Sequence, residues 1–435
     1  MIRATAESKR YATDFRAEAE RIAAQAPAWT RSARERAWAR FEAQGIPTTR
    51  LEAWRDTRMD ALGSTAFVAA PDRRAAWSRE RLDAVPLAAV GGLRLVFVNG
   101  RYAPGLSDPG TADVSVGALA DGDVSFGSLV PGDGHPFAAL NGALFEDAAV
   151  VRITPGAVLD RPVHVVHLTD TDGAVALVHP RSLVIAGDGC EAVIVESHLT
   201  ANDHGEYAVN PVTEVRAGDH AVVRHYRVQN DSDHAWHVGG VFVSQGRASR
   251  VASLHVALGA KLARVDAVGT LAGEGGYHEL DGLFLLDGER HVDHHTTLDH
   301  ASPRCASREL FKGILSGRSR GVFHGRIIVR EEAQKTDAKQ SNPNLLLSDS
   351  ALINTRPQLE IYADDVKCTH GATVGQIDRE ALFYLRSRGI EEPDARDLLI
   401  HAFASDVLNR VRVEPLREGL ERAVSLRLPR VRDGR

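Results

Sequence analysis

From about residue 150 to residue 375 the chain runs as short β-type segments with almost no helical period, a stretch of more than two hundred residues. Residues 163–168, 182–185, 192–195 and 221–226 are such segments, and pairs such as Gly187-Asp188 and Gly218-Asp219 punctuate them as turns. So many strands exceed one immunoglobulin-sized sandwich, which leaves a large barrel, two sandwiches or a solenoid. A β-helix accounts most directly for the uneven spacing, because each coil stacks only on its neighbours and tolerates insertions at its corners. No strict sequence period is visible.

The flanks have a different character. Residues 6–41 are rich in Ala, Arg and Glu with few β-branched residues, which favours helix. Gly45-Ile46-Pro47-Thr48 ends that region, residues 51–55 open a short element, and the β-rich run 93–98 stops at an Asn99-Gly100 turn. After residue 375 the helical period returns. Asp378 caps a helix carrying Leu382, Phe383, Leu385 and Arg386 and ending at Gly389; a second starts at Pro393 with Leu398, Leu399, Ala402, Phe403 and Val407 along one stripe. Residues 414–428 form a third, with Leu416, Leu420 and Val424 on one side and arginines opposite. That helix either is simply solvated on its charged face or docks on a partner. The Arg-rich end beyond Leu428 is expected to fray. The expected organisation is an N-terminal helical region (1–90), a mixed connecting segment (91–149), a β core (150–375) and a C-terminal helical domain (376–435).

A net charge of −6 over 435 residues gives no overall attraction to phosphate backbones or anionic membranes, so nucleic acid and membrane surfaces are not expected partners. No run approaches the ~20 apolar residues of a membrane helix, and the first twenty residues lack a secretory apolar region. Cys190, Cys305 and Cys368 are odd in number and far apart, which fits a reducing compartment and a cytoplasmic protein.

The chain has no Gly-x4-Gly-Lys-Ser/Thr phosphate loop, Cys-x2-Cys pair, His-Glu-x2-His helix or Gly-x-Ser-x-Gly elbow. Any nucleotide hydrolysis therefore belongs to another chain. Gly273-Glu274-Gly275-Gly276 lies in a β-rich context and reads as turn glycines rather than a dinucleotide fingerprint. In the His291 to His300 cluster, alternation places His291, Asp293 and His295 on one face, a set of imidazoles and carboxylate that suits zinc or iron. A metal-dependent enzyme using this cluster, with His294 and His295 as candidate ligands, is the alternative function. A ladder of polar side chains stacked on a β surface explains the same pattern. Cys190 and Cys305 read as small buried hydrophobes.

Asp364-Asp365-Val366-Lys367-Cys368-Thr369-His370-Gly371 is the segment richest in chemistry. On an extended strand residues i and i+2 share a side, so Cys368 and His370 can reach one ligand. Two ligands make half a site, because a closed zinc site needs four and an ordinary iron–sulfur cluster takes four thiolates. A partner chain is the obvious supplier of the rest. Lys367 and His370 are placed to lower the Cys368 pKa, and a buried strand thiol is the opposing reading.

The run Ala333-Gln334-Lys335-Thr336-Asp337-Ala338-Lys339-Gln340-Ser341-Asn342-Pro343-Asn344-Leu345-Leu346-Leu347-Ser348 leads through Thr355-Arg356-Pro357-Gln358-Leu359-Glu360-Ile361 to the Cys368 segment and on to Leu382-Phe383-Tyr384-Leu385-Arg386-Ser387-Arg388-Gly389-Ile390. Together these resemble the SufB/SufD family of iron–sulfur cluster assembly proteins, with Asp-Val-Lys-Cys-x-His-Gly in its SufD form. Upstream, Gly45-Ile46-Pro47, Val96-Phe97-Val98-Asn99-Gly100 and Phe137-Ala138-Ala139-Leu140-Asn141 fit the same order. Ala53-Trp54-Arg55-Asp56-Thr57 departs from the family's more usual Glu-Trp-Lys-Tyr-Thr, which clouds any role for that element.

The resemblance implies a mainly β chain, with a right-handed parallel β-helix core between N-terminal and C-terminal α-helical regions. It further implies a non-catalytic scaffold subunit of the SUF system. Such a subunit pairs with a SufB-like subunit through the β-helix and with a SufC-like ATPase through the C-terminal helices, or with itself when alone. Cys368 and His370 then belong to a transient iron–sulfur cluster shared with the partner, in a complex that can also hold reduced FAD. A third class, a β-helix module for polysaccharide, lacks the aromatic stripe it needs, since aromatics are only 6%.

Overall fold

The computed structural model describes residues 6–117 and 126–427, with residues 6–15 as backbone only. The expected frayed end beyond Leu428 lies outside the described residues. From Val212–Ala217 onward successive strands alternate between two sheets, and each pairs in parallel with the strand two places further along the chain. In one sheet Val222 pairs with Arg250, Arg250 with Tyr277, Tyr277 with Ala306, Ala306 with Asp337 and Asp337 with Lys367. The steps are 28, 27, 29, 31 and 30 residues, so the coils differ in length only at their corners. This drift is why no strict period shows in the sequence. The result is a parallel β-solenoid of about eight turns, flanked by helices at both ends of the chain.

Because the pairing is in register, side chains stack in columns, and the two-residue alternation sends one set into the lumen and the other to the outer faces. The lumen is apolar in the early coils, around Val165, Val184, Ile194, Val215 and Val241, and again later around Phe311, Phe323 and Ile327. Between them lies a polar section. There Glu196 accepts hydrogen bonds from Ser182 and Thr213, both at 2.8 Å, with His225 at 3.2 Å.

Both outer faces are partly covered. Helices Ala6–Gln25, Arg31–Gln44 and Pro136–Leu144 close over one sheet through Phe41, Leu140, Leu177 and Trp236. Gly45, at φ 66°, ends the second of these by donating to the Phe41 carbonyl at 2.6 Å. Helices Glu392–Leu408 and Glu414–Arg427 cover the other sheet, with Leu416, Leu420 and Val424 fully buried in the largest core cluster. The third helix therefore docks on its own chain. The stripe expected on the second helix is corrected: Ala395, Ile400, Ala404, Val407 and Leu408 are buried, while Leu398 and Ala402 face solvent. Apolar residues are spread around this helix, so its buried side is chosen by tertiary contacts. Lys312 pairs with Asp406, and Arg410 reaches both Asp281 at 2.9 Å and Glu279 at 2.8 Å.

The two ends of the solenoid differ. At the first, short antiparallel strands end the sheets: Arg101–Tyr102 returns from Leu93–Val98 across the Asn99-Gly100 turn, and Val114–Gly117 pairs with Ala149–Ile153. At the other, Leu352–Ile361 and Lys367–Gly375 are long edge strands, each paired on one side only. Leu352, Ile361, Tyr362 and Val374 are all exposed there.

Candidate functional site

Cys368 and His370 stand on the last strand, Lys367–Gly375, in register with Ala338 and Gln340 of the strand beneath. Ala338 and Gln340 are buried in the lumen, so the column direction turns Cys368 and His370 onto the luminal side of the final coil. Among the described residues no further coil covers them. Cys368 is half-buried against the cluster of Phe311, Ala338 and Leu359, and His370 is exposed at the open rim. The structure thus places the two residues on one side of one strand.

The expectation of a lowered thiol pKa is corrected. Burial pushes the Cys368 thiol up, a backbone hydrogen bond from Ala338 opposes this, and the Asp337 carboxylate adds to the rise. Lys367 alternates to the other side of the strand and does not offset it. The thiol is therefore protonated at neutral pH, and any metal bound there would have to displace a proton.

The Asn342-Pro343 step supports this rim. Pro343 has no N–H, so the ladder to Ala306–Leu315 is interrupted there. The freed carbonyl of Phe311 accepts instead from Asn342 Nδ2 at 2.9 Å, and Asn344 Nδ2 returns to Asn342 Oδ1 at 2.8 Å. Directly below His370, Gln340 Nε2 donates to Glu309 Oε2 at 2.7 Å. Burial raises the Glu309 carboxyl to about 7. Glu309 and Gln340 escaped the sequence reading. The available signal was the alternation Gln340, Asn342, Asn344, which marks a polar luminal face.

The histidine-rich strand His291–His300 has a different role. His294 points into the lumen, 5.4 Å from the Phe284 ring and 5.2 Å from that of Phe311, while His295 points outward. Adjacent strand residues diverge, so His294 and His295 do not converge on one ion. His291, Asp293 and His295 do share the outer face, as alternation predicts, but their bonds go to protein. Asp293 accepts from Arg264 Nη1 at 2.7 Å and from Thr57 Oγ1, His295 lies 3.1 Å from Asp293, and Thr57 Oγ1 lies 2.9 Å from His291 Nε2. Among the described residues no group of three or more His, Cys, Asp or Glu is arranged to hold a metal ion.

This network belongs to a latch. The turn Glu52–Trp54 lays Trp54 over the Arg264 guanidinium at 3.6 Å, the Ala53 carbonyl accepts from the same Arg264, and Asp56 pairs with Arg356 at 2.9 Å. The segment that departs from the family pattern fastens the N-terminal region across successive coils. Cys190 and Cys305 are fully buried, with Cys305 Sγ donating to the Gly273 carbonyl at 3.3 Å. Gly273 sits in a turn where a Cβ would lie 2.1 Å from the Arg247 nitrogen, so the Gly-rich string is structural.

Comparison with known proteins agrees with this architecture. The family model for the SUF system FeS cluster assembly SufBD core domain matches residues 167–403, and that for the SufBD protein N-terminal region matches residues 5–76. An iron-sulfur cluster assembly SufBD family protein of Synechocystis sp. is 34% identical over 404 residues, covering 88% of this chain and 87% of the relative. Iron-sulfur cluster assembly protein SufD of Escherichia coli is 32% identical over 387 residues, covering 88% and 90%. Protein ABCI7, chloroplastic, of Arabidopsis thaliana is 32% identical over 283 residues, covering 64% and 60%.

Proposed function

Since the chain belongs to the SufBD family of the SUF iron–sulfur cluster assembly system, we propose that it is a scaffold subunit whose Cys368 and His370 form half of a site for a nascent cluster. The observation that carries this reading is the open final coil, where both residues face the rim beside a bare strand edge. In a parallel ladder the N–H and C=O of one residue go to the same neighbour, so Cys368, His370, Ala372 and Val374 turn their backbone groups away from the sheet. Such an edge is a template for another strand. A SufB-like subunit seated on it brings its own side chains to the thiol and imidazole and completes the ligand set. The same edge serves a homodimer when the chain is alone.

A SufC-like ATPase binds the C-terminal helical domain in this reading. Helix Arg379–Ser387, capped by Asp378, buries no residue and exposes Phe383 and Tyr384, with Leu398 exposed on the next helix. The ion pairs of Lys312 and Arg410 tie that next helix to the solenoid, so a pull by an ATP-driven motor on the helices is transmitted to the paired β-edges and opens the site to iron and sulfur. Hydrolysis belongs to the motor and this subunit acts without catalysis, in the cytoplasm. A reduced flavin in the assembled complex would supply electrons.

The test is copurification with SufB-like and SufC-like proteins followed by anaerobic reconstitution and spectroscopy of the cluster. Cys368→Ala and His370→Ala are expected to leave the complex assembled but lower its cluster content. Unchanged content in both variants would overturn the site.

A further inference from the structure

The strand beneath the half-site carries a side chain with one end occupied and the other free. Gln340 is 3% exposed, and its Nε2 is held by Glu309 Oε2 at 2.7 Å, one coil further down. Its Oε1 is buried and has no hydrogen-bond partner among the described residues. The oxygen and nitrogen of an amide point apart, so a nitrogen tied to the coil below leaves the oxygen available to the coil above. There, in register and about 4.8 Å away along the hydrogen-bonding direction, stands His370.

The opposite wall is shaped for this amide. Gly325, on the facing strand Arg320–Val329, lies so close that a Cβ on it would be 2.3 Å from Gln340 Nε2 and 2.8 Å from Cδ. Any other residue there displaces the amide. Glu309, Gln340 and His370 therefore form one luminal column, in which a buried carboxylate orients an amide and the amide addresses the imidazole.

We propose that Gln340 is a positioning residue for His370: its amide oxygen accepts an N–H from one imidazole nitrogen and leaves the lone pair of the other turned to the open rim for iron. A metal-binding histidine needs one nitrogen unprotonated, and the bond made by the other fixes both tautomer and ring orientation. Glu309 acts one step further back, by fixing which end of the amide faces up. The inference rests on the reading of Cys368 and His370 as cluster ligands.

The test uses the complex with SufB-like and SufC-like partners, with cluster content and Co(II) binding as readouts and thermal melting as the control for folding. Gln340→Met keeps the volume and removes the acceptor, and about a tenfold loss of Co(II) affinity is expected. The exchange variant Glu309→Gln with Gln340→Glu restores a donor below and an acceptor facing His370, and is expected to recover affinity. A folded Gln340→Met with wild-type affinity, or a folded exchange variant that recovers nothing, overturns the proposal. If Gln340→Met does not fold, Gly325→Ala displaces the intact amide instead; a folded Gly325→Ala with undiminished affinity overturns the proposal equally. His370→Ala separates the two levels. If it leaves Co(II) binding unchanged the half-site itself is wrong, whereas loss in His370→Ala with none in Gln340→Met refutes the positioning role alone.

Discussion

Asp293 lies on the outer face of its sheet and is nevertheless fully buried, because Trp54 and Thr57 close over it. Burial works to raise its carboxyl, but the charges of His295 and Arg264 prevail and hold it far below the usual range. Replacing Arg264 with Met leaves that carboxylate without its permanently charged partner. The expected loss is about 3–5 kcal/mol in urea unfolding, as for other broken buried pairs. The alternation of His291, Asp293 and His295 was legible in the sequence, but their partners were not, since Thr57 and Arg264 come from distant segments. Cys368 shows the same limit: its neighbours in sequence are basic, but burial and Asp337 control its thiol.

At the scale of elements, the last two strands of one sheet hold both the proposed half-site and the bare edge. Asn342 substitutes a side-chain donor for the N–H that Pro343 lacks, so Asn342→Leu leaves the Phe311 carbonyl unpaired in the lumen. A cost of about 1–3 kcal/mol is expected, read from the denaturant midpoint. The edge strand offers a cleaner separation of folding from assembly. Ala372 directs its N–H outward, so Ala372→Pro removes an edge donor while sparing the inner ladder. Its melting temperature is expected within a few degrees of wild type, but size-exclusion chromatography with the SufB-like partner is expected to show no heteromer. A normal heteromer would mean that the partner sits elsewhere. Caps at Asp378 and Gly45 could be read from the sequence because they are local. The buried side of Glu392–Leu408 could not, because nothing within the helix selects it.

For the molecule as a whole, buried histidines determine the response to pH. Burial holds His164, His198, His278 and His294 near 3 and His179 and His300 near 4, so all six are neutral in the fold at neutral pH. Unfolded histidine binds its proton near 6.5, so the unfolded chain takes up more protons between about 6.5 and 4, and stability falls as pH is lowered through that window. Glu309 and Asp281 act in the opposite sense. Burial raises both to about 7, so their contribution is fully present only at low pH and is lost as pH rises to 7. Six histidines outweigh two carboxyls, and thermal melts across buffers are expected to peak at about pH 6.5–7 and fall more steeply on the acid side. A flat profile between about pH 4 and 6.5 would contradict the neutral state of these buried histidines.

By itself the sequence determined that residues 150–375 are short strands and turns, because turn chemistry and the lack of a helical period are local and persist even where coil lengths drift. It also determined that Cys368 and His370 share a side, since strand geometry alone requires it. Only the tertiary structure decided that this side is the luminal rim of an uncapped coil, that Glu309 and Gln340 lie in the same column, and that the histidine cluster belongs to a latch. Each of those facts depends on which residues meet across a coil of about thirty positions, a distance that varies at every corner and leaves no mark on neighbouring residues.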